Sequence, residues 1–216
     1  MKINAIITAG GTSSRFGSKN KLLEKINGIE VIKYTVDAFR YANVDKIIIC
    51  ANISIMDELK KIFKDYSNLM FVEGGATRQQ SVYNGLLADK CDYVLIHDGA
   101  RPIISTELIN ICIEMVKVQK ALTVVTKTID TIKEVEHGKI VKTIDRSKLY
   151  NTQTPQAFEY NLILEAHKKF EGKNFTDDAG MIEKMQQPVY ILDGSYKNIK
   201  ITTQSDIKLA QIYLEE

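Results

Sequence analysis

The sequence predicts an α/β protein with a mostly parallel central sheet and helices on both faces. Three observations carry this. Short apolar, β-branched runs, such as INAII at 3–7 and KIIICA at 46–51, read as buried strands. Segments between them repeat apolar residues at helical spacing. Glycine-bearing turns follow the first, third and fourth of these runs, where open α/β sheets bind their ligands.

The first strand ends in Ala9-Gly10-Gly11, followed by Thr12, Ser13 and Ser14, then Arg15, Lys19 and Lys21. Small residues let the backbone approach a ligand and turn N–H groups into one concavity. Arg15 adds a planar fork of donors, and Lys21 a mobile point charge. This combination makes a phosphate cradle. It fits neither G-x-x-x-x-G-K-[ST] nor G-x-G-x-x-G, so a P-loop and a dinucleotide fingerprint are both excluded. A nicotinamide dehydrogenase is excluded with the latter.

Farther along, Ile29, Ile32, Val36 and Phe39 predict a helix over 29–42. Residues 46–51 form the second strand, 53–66 a helix and 69–72 a third strand. Gly74-Gly75 breaks the chain before a helix over 77–88. Residues 93–96 are the fourth strand, ending in His97-Asp98-Gly99-Ala100-Arg101-Pro102. A helix over 106–118 and a strand over 122–127 follow. Two alternating runs around His137-Gly138, within 128–145, read as a β-hairpin. A hairpin has little core of its own, so it is expected to pack on the body or on a second subunit. Helices over 159–170 and 177–185, strands over 189–192 and 198–202, and a helix over 204–214 complete the reading. No repeat or linker interrupts the chain, which is expected to be a single domain over 1–216 with an arm at about 128–155.

Three strand ends therefore bring unusual residues to one crevice. Asp98 follows its strand directly and reads as a carboxylate for a metal ion or a sugar hydroxyl. Arg101 either clamps an anion or pairs with Asp98. Arg78, on the first turn of its helix, reads more as a surface or ion-pair residue than as a ligand. His97 reads as structural, His137 as solvated and His167, beside Lys168 and Lys169, as a surface residue. Lys200 either snorkels to solvent or reaches a phosphate, and Arg146 is ambiguous alone. No nucleophile–base pair is apparent.

A net charge of +2 over 216 residues gives no broad footprint for nucleic acid, but allows a local anion pocket. Cys50, Cys91 and Cys112 match no metal spacing and read as reduced, packed thiols. The N-terminal strand is not a signal peptide, and no run reaches membrane-spanning length, so the expected location is the cytoplasm.

The blocks TAGGTSSRFGSKNKL, EGGATRQQSVYNGL, VLIHDGARP, DTIK, TIDRSKLYNTQTPQAF, FTDDAGMIE and NIKITT span nearly the whole chain. In order and spacing they resemble the bacterial CTP:polyol-phosphate cytidylyltransferases, with the methylerythritol phosphate branch a better match than the ribitol-5-phosphate branch. The resemblance implies a Rossmann-like, three-layer nucleotidyltransferase fold with a protruding β-arm. It implies CTP contacts at Ala9, Gly10, Gly11, Gly75, Ala76, Ser81 and Gly99, and transition-state stabilisation by Arg15 and Lys21. It implies acceptor binding by Asp98, Arg101, Thr131, Arg146 and Lys200, the last two aiming the substrate phosphate. It also implies Mg2+ near Asp98, held partly through CTP phosphates and water. Finally, it implies a homodimer in which Thr131 and Arg146 serve the partner's site. The chain departs from the family pattern at Ser13, at Phe16 and at Asn20-Lys21-Leu22. Both key cations remain, which argues against a non-catalytic CTP- or CDP-binding module.

Overall fold

The computed structural model describes residues 1–11, 16 and 20–215. In chain order it contains β1 (Ile3–Ala9), β2 (Lys25–Ile26), β3 (Ile29–Glu30), α1 (Val31–Arg40), β4 (Lys46–Ala51) and α2 (Ile53–Ile62). Next come β5 (Leu69–Glu73), α3 (Arg78–Ala88), β6 (Tyr93–Asp98), α4 (Thr106–Gln119), β7 (Ala121–Lys127), β8 (Ile132–Glu136) and β9 (Lys139–Ile144). After a 3-10 turn at Arg146–Lys148 come β10 (Tyr150–Glu159), α5 (Tyr160–Lys169), α6 (Ala179–Lys184), β11 (Tyr190–Asp193) and α7 (Gln204–Glu215).

One seven-stranded sheet, ordered β11-β7-β10-β6-β1-β4-β5, forms the middle layer. The pairs β6/β1, β1/β4, β4/β5 and β7/β11 are parallel. β10 runs antiparallel to both of its neighbours. Side chains alternate across each strand, so the sheet feeds two cores. On one face Ile7, Ile47 and Ile49 pack with Phe39 of α1, Leu59 of α2, Ile113 of α4 and Ala210 of α7. On the other, Ile6, Ile48 and Ile96 pack with Val82 of α3, Ile163 of α5 and Met181 of α6. The three-layer α/β architecture is the one expected.

Helix starts follow ordinary capping rules. The side chains of Asn52, Thr77 and Ser105 each accept from a backbone N–H of the helix that follows. The β8–β9 hairpin turns at His137 and Gly138, both with positive φ, and its residues are exposed except Ile144 at its base.

Several expectations are corrected. Ile29-Glu30 pairs with Lys25-Ile26 as a two-residue ribbon, so α1 begins at Val31. α2 stops at Ile62. Residues 198–202 form no strand. Asn198 is instead buried and donates its amide to Gln153 Oε1 and Thr154 O, so side chains fix the segment. β10, a full strand inserted between β6 and β7, was not anticipated.

Candidate active site

The consecutive pairs β6/β1, β1/β4 and β4/β5 are all parallel, so the carboxyl ends of β1, β5 and β6 share one edge. The chain first travels from β1 outward through β4 to β5, then returns to place β6 on the other side of β1. That reversal opens a crevice at the strand ends. A cleft of about 300 Å3 occupies it, with walls that include Ala9, Gly10 and Gly11 after β1, Lys21, Gly75, Ala76 and Ser81 at the start of α3, Arg78, Asp98 and Lys200.

Close packing explains the small residues. A Cβ on Gly10 would lie 3.0 Å from Ser81 Oγ, and one on Gly75 would lie 2.3 Å from the Gln80 side chain. Ser81 Oγ donates to Thr77 O and accepts from Gly75 N–H, which ties the β5–α3 turn to its helix. Gly99 is placed differently. Its N–H donates to Thr8 O, and an added Cβ would stand 2.9 Å from that oxygen, so it serves the approach of two strands rather than the cleft wall. Phe16 and Leu22 are buried in the core, so the Phe16 departure fills an apolar position. Arg15 and Ser13 lie outside the described residues.

Asp98 is the electrostatic centre. It is 6% exposed. Lys200 Nζ lies 2.8 Å from one carboxylate oxygen and Arg78 Nε 3.2 Å from the other, with Arg101 Nε at 3.6 Å. Burial alone would raise the Asp98 pKa, but Arg78, Lys200 and Arg101 together hold it well below the usual carboxylate range. Arg78 also donates from Nη1 to Asp178 Oδ2 at 2.6 Å. Burial disfavours its charge, yet Asp178 and Asp98 more than offset this and raise its pKa. Arg101 donates to Asn198 O and is shifted down, chiefly by burial. Lys21 Nζ donates to Ile201 O at 2.7 Å, so the irregular 198–202 segment helps position that ammonium.

A second cleft, of about 410 Å3, adjoins the first. Arg78, Asp98 and Lys200 belong to both walls, while Arg101, Thr154, Gln156 and Asp177 line the far side. Two polar compartments thus share one partition of two cations and a carboxylate.

Thr131 and Arg146 are exposed and line neither cleft. Arg146 donates to Ile129 O at the base of the hairpin. His97 is the structural residue expected: fully buried, with Nδ1 3.0 Å from Thr154 Oγ1 and Nε2 3.2 Å from Arg101 O. His167 is not a surface residue. It is 2% exposed, with Nε2 3.3 Å from Asp178 Oδ1. The three cysteines are free and buried, and desolvation pushes each thiol up to about 12. Asp178 and the β10 side chains at the second cleft were not singled out, although the FTDDAGMIE and QTPQAF blocks contain them.

Among the described residues, Asp98 is the only carboxylate at the first cleft, and no cluster of three or more His, Cys, Asp or Glu side chains able to hold a metal occurs. One carboxylate facing a space suited to phosphates fits magnesium, which takes few protein ligands and keeps phosphate and water oxygens.

The fold and these paired clefts define a nucleotidyltransferase-type α/β enzyme. The family model described as "IspD: 2-C-methyl-D-erythritol 4-phosphate cytidylyltransferase" matches residues 3–216. The chain is similar to the 2-C-methyl-D-erythritol 4-phosphate cytidylyltransferase of Clostridioides difficile, at 39% identity over 96% of this chain and 92% of that protein. The enzyme of that name from Dictyoglomus thermophilum is 41% identical over 95% and 94%. The crystal structure of 4-diphosphocytidyl-2C-methyl-D-erythritol synthase from Anaerococcus prevotii superposes with a TM-score of 0.89 at 35% identity, covering 100% and 99% of the two chains. The chain belongs to the 2-C-methyl-D-erythritol 4-phosphate cytidylyltransferase family.

Proposed function

We propose that the protein joins CTP to 2-C-methyl-D-erythritol 4-phosphate, giving 4-diphosphocytidyl-2-C-methyl-D-erythritol and pyrophosphate, in non-mevalonate isoprenoid precursor synthesis. The observation that carries this reading, beyond family membership, is the Arg78–Asp98–Lys200 partition shared by two clefts. CTP takes the glycine-walled cleft, and the sugar-alcohol phosphate takes the one beside β10. Ala9, Gly10, Gly11, Gly75, Ala76 and Ser81 shape the nucleotide side, with Gly99 behind them.

An oxygen of the acceptor phosphate attacks the CTP α-phosphorus. The bond from that phosphorus to the bridging oxygen breaks, and pyrophosphate leaves with the electron pair. A phosphate monoester, with a second pKa of about 6, is largely a dianion at neutral pH and needs no general base. The barrier is the meeting of two anions. Arg15 and Lys21 neutralise charge that develops on the α-phosphate and the leaving group. Lys200, with Arg101 and Asp98, holds the acceptor, and Arg146 and Thr131 reach it from a partner subunit's arm in a homodimer. Asp98 is the residue that would hold a magnesium ion, whose bound charge would add to the neutralisation supplied by Arg15 and Lys21.

No helix among the described residues is long and apolar enough to cross a membrane. We place the reaction in the cytoplasm, which suits three free, buried thiols.

The test is pyrophosphate release with CTP and each of two acceptors, methylerythritol phosphate and ribitol 5-phosphate. Release with the first and little with the second is expected. The opposite preference would move the protein to the ribitol reading, which the family match does not favour. No release with either would leave a nucleotide-binding module.

A further inference from the structure

His167 is a costly residue to bury. It lies on the inner face of α5 beside Ala166, in register with Tyr160 and Ile163. Both ring nitrogens, and Asp178 Oδ1, lack an aligned hydrogen-bond partner. Orphaned buried polar atoms carry a desolvation penalty, so they call for an explanation. Here the orphans face one another: His167 Nε2 lies 3.3 Å from Asp178 Oδ1, and a small rotation of either group closes a hydrogen bond. The other oxygen of the same carboxylate holds Arg78 Nη1 at 2.6 Å, and Arg78 Nε reaches Asp98 at 3.2 Å. Gln156 Oε1 accepts from the backbone N–H of Asp178 and of Ala179, so the main chain is pinned and only the carboxylate is left to be oriented. One continuous line thus runs from α5 to the partition between the clefts.

We infer that His167 is a positioning residue: it orients the Asp178 carboxylate, which aims the Arg78 guanidinium across the wall shared by the two clefts. This rests on the cytidylyl-transfer reading above. His167 touches no substrate. Its effect is on the placement of a guanidinium that carries charge to both compartments. A carboxylate gripped from one side only would let Arg78 swing, and misplacement of a charged group costs rate steeply.

The competing explanation is packing, since the ring also stacks on Tyr83, with centroids 6.0 Å apart and planes 8° from parallel. Two variants separate these roles. His167→Phe keeps the ring and loses the N–H. His167→Gln keeps an N–H donor and loses the ring. Pyrophosphate release is measured for both in the wild-type background and in Arg78→Ala, with melting temperatures recorded throughout. Coupled neighbours show interaction effects of roughly three- to a hundredfold, so His167→Phe is expected to lower kcat/KM about tenfold in the wild-type background and to add nothing to Arg78→Ala. His167→Gln is expected to stay within about threefold of wild type even where its melting temperature falls. Equal losses in both backgrounds, or full activity of His167→Phe, would overturn the inference and leave His167 a packing residue. If the wild-type enzyme itself releases no pyrophosphate, the proposed function fails first, and this inference goes with it.

Discussion

Lys200 Nζ lies 2.8 Å from Asp98 Oδ2, while Arg78 Nε lies 3.2 Å from the opposite oxygen. One buried carboxylate therefore balances cations on both sides of the partition. Asp98→Asn keeps the shape and removes the charge, leaving Arg78, Arg101 and Lys200 without their shared counter-ion. Removing one member of a buried charge cluster typically costs about 3 kcal/mol, and a loss of that order is expected in urea denaturation. An unchanged midpoint would mean that solvent already screens these cations.

Acid should weaken the fold before it reaches the carboxylates. Asp98 N–H donates to Thr154 Oγ1, whose hydroxyl then donates to His97 Nδ1, and Nε2–H of the ring donates to Arg101 O. That chain suits a neutral ring, and burial, the largest cause, lowers the His97 pKa from 6.5 to about 4. The unfolded chain takes up its proton near 6.5 and the folded chain only near 4, so the unfolded state binds more protons between those values. The His97 contribution is fully present above 6.5 and is lost as pH falls toward 4, by about 3 kcal/mol in all. Asp98 and Asp178 are shifted the other way relative to their charge, and their contributions vanish only at still lower pH. Urea midpoints measured from pH 7 to 4 should slope in wild type and flatten in His97→Gln. A flat wild-type profile would contradict the shift.

The parallel strands were legible because each is a compact apolar run, and β4 was bounded to the residue by KIIICA. β10 was hidden by its composition. Gln153, Thr154 and Gln156 are buried polar residues that bind across to His97, Asn198 and the backbone at Asp178, so the strand lacks an apolar signature. Pro155 also argues against a central strand, and a register shift between Thr152 and Gln156 in the ladder to β7 accommodates it. His167 was read from its neighbours Lys168 and Lys169. The helical period through Tyr160 and Ile163, which places it inward, was the better guide. The cleft residues at strand ends were readable because topology alone collects them. The partnership of Arg78 with Asp178, 100 residues apart, depends on how α6 docks and has no local signal.

Two glycines beside the same edge should respond oppositely to a methyl group. In Gly99→Ala the new Cβ would meet Thr8 O at 2.9 Å, a backbone oxygen held in a strand. Overpacking of this kind costs about 1–3 kcal/mol. Among the described residues nothing lies within 4 Å of the equivalent position at Gly11, so Gly11→Ala should leave the melting temperature nearly unchanged. Similar melting temperatures for the two variants would show that β1 and β6 can separate without loss.

The arm offers the sharpest test of the assembled site. Val135, Ile140 and Val141 are more than half exposed on a hairpin with no core of its own, and Arg146 at its base lines neither cleft of its own chain. If the arm serves a partner, Lys21→Ala and Arg146→Ala damage different subunits of each composite site. Loss of a preorganised charge at the reacting phosphate typically lowers kcat by about 10²–10³, so each variant alone should be nearly inactive. Mixed and allowed to exchange, the two should recover turnover, because a heterodimer joins an intact Lys21 cleft with an intact Arg146 arm. The same mixture with Arg146→Ala and Lys200→Ala should recover as well, since Lys200 belongs to the cleft and not to the arm. Recovery requires both the dimer and the exchange of Arg146 between subunits. Mixtures as inactive as their parents, with subunit exchange verified by light scattering and labelled chains, would show that Arg146 does not serve the partner's site, and an Arg146→Ala variant as active as wild type would return it to an ordinary surface role.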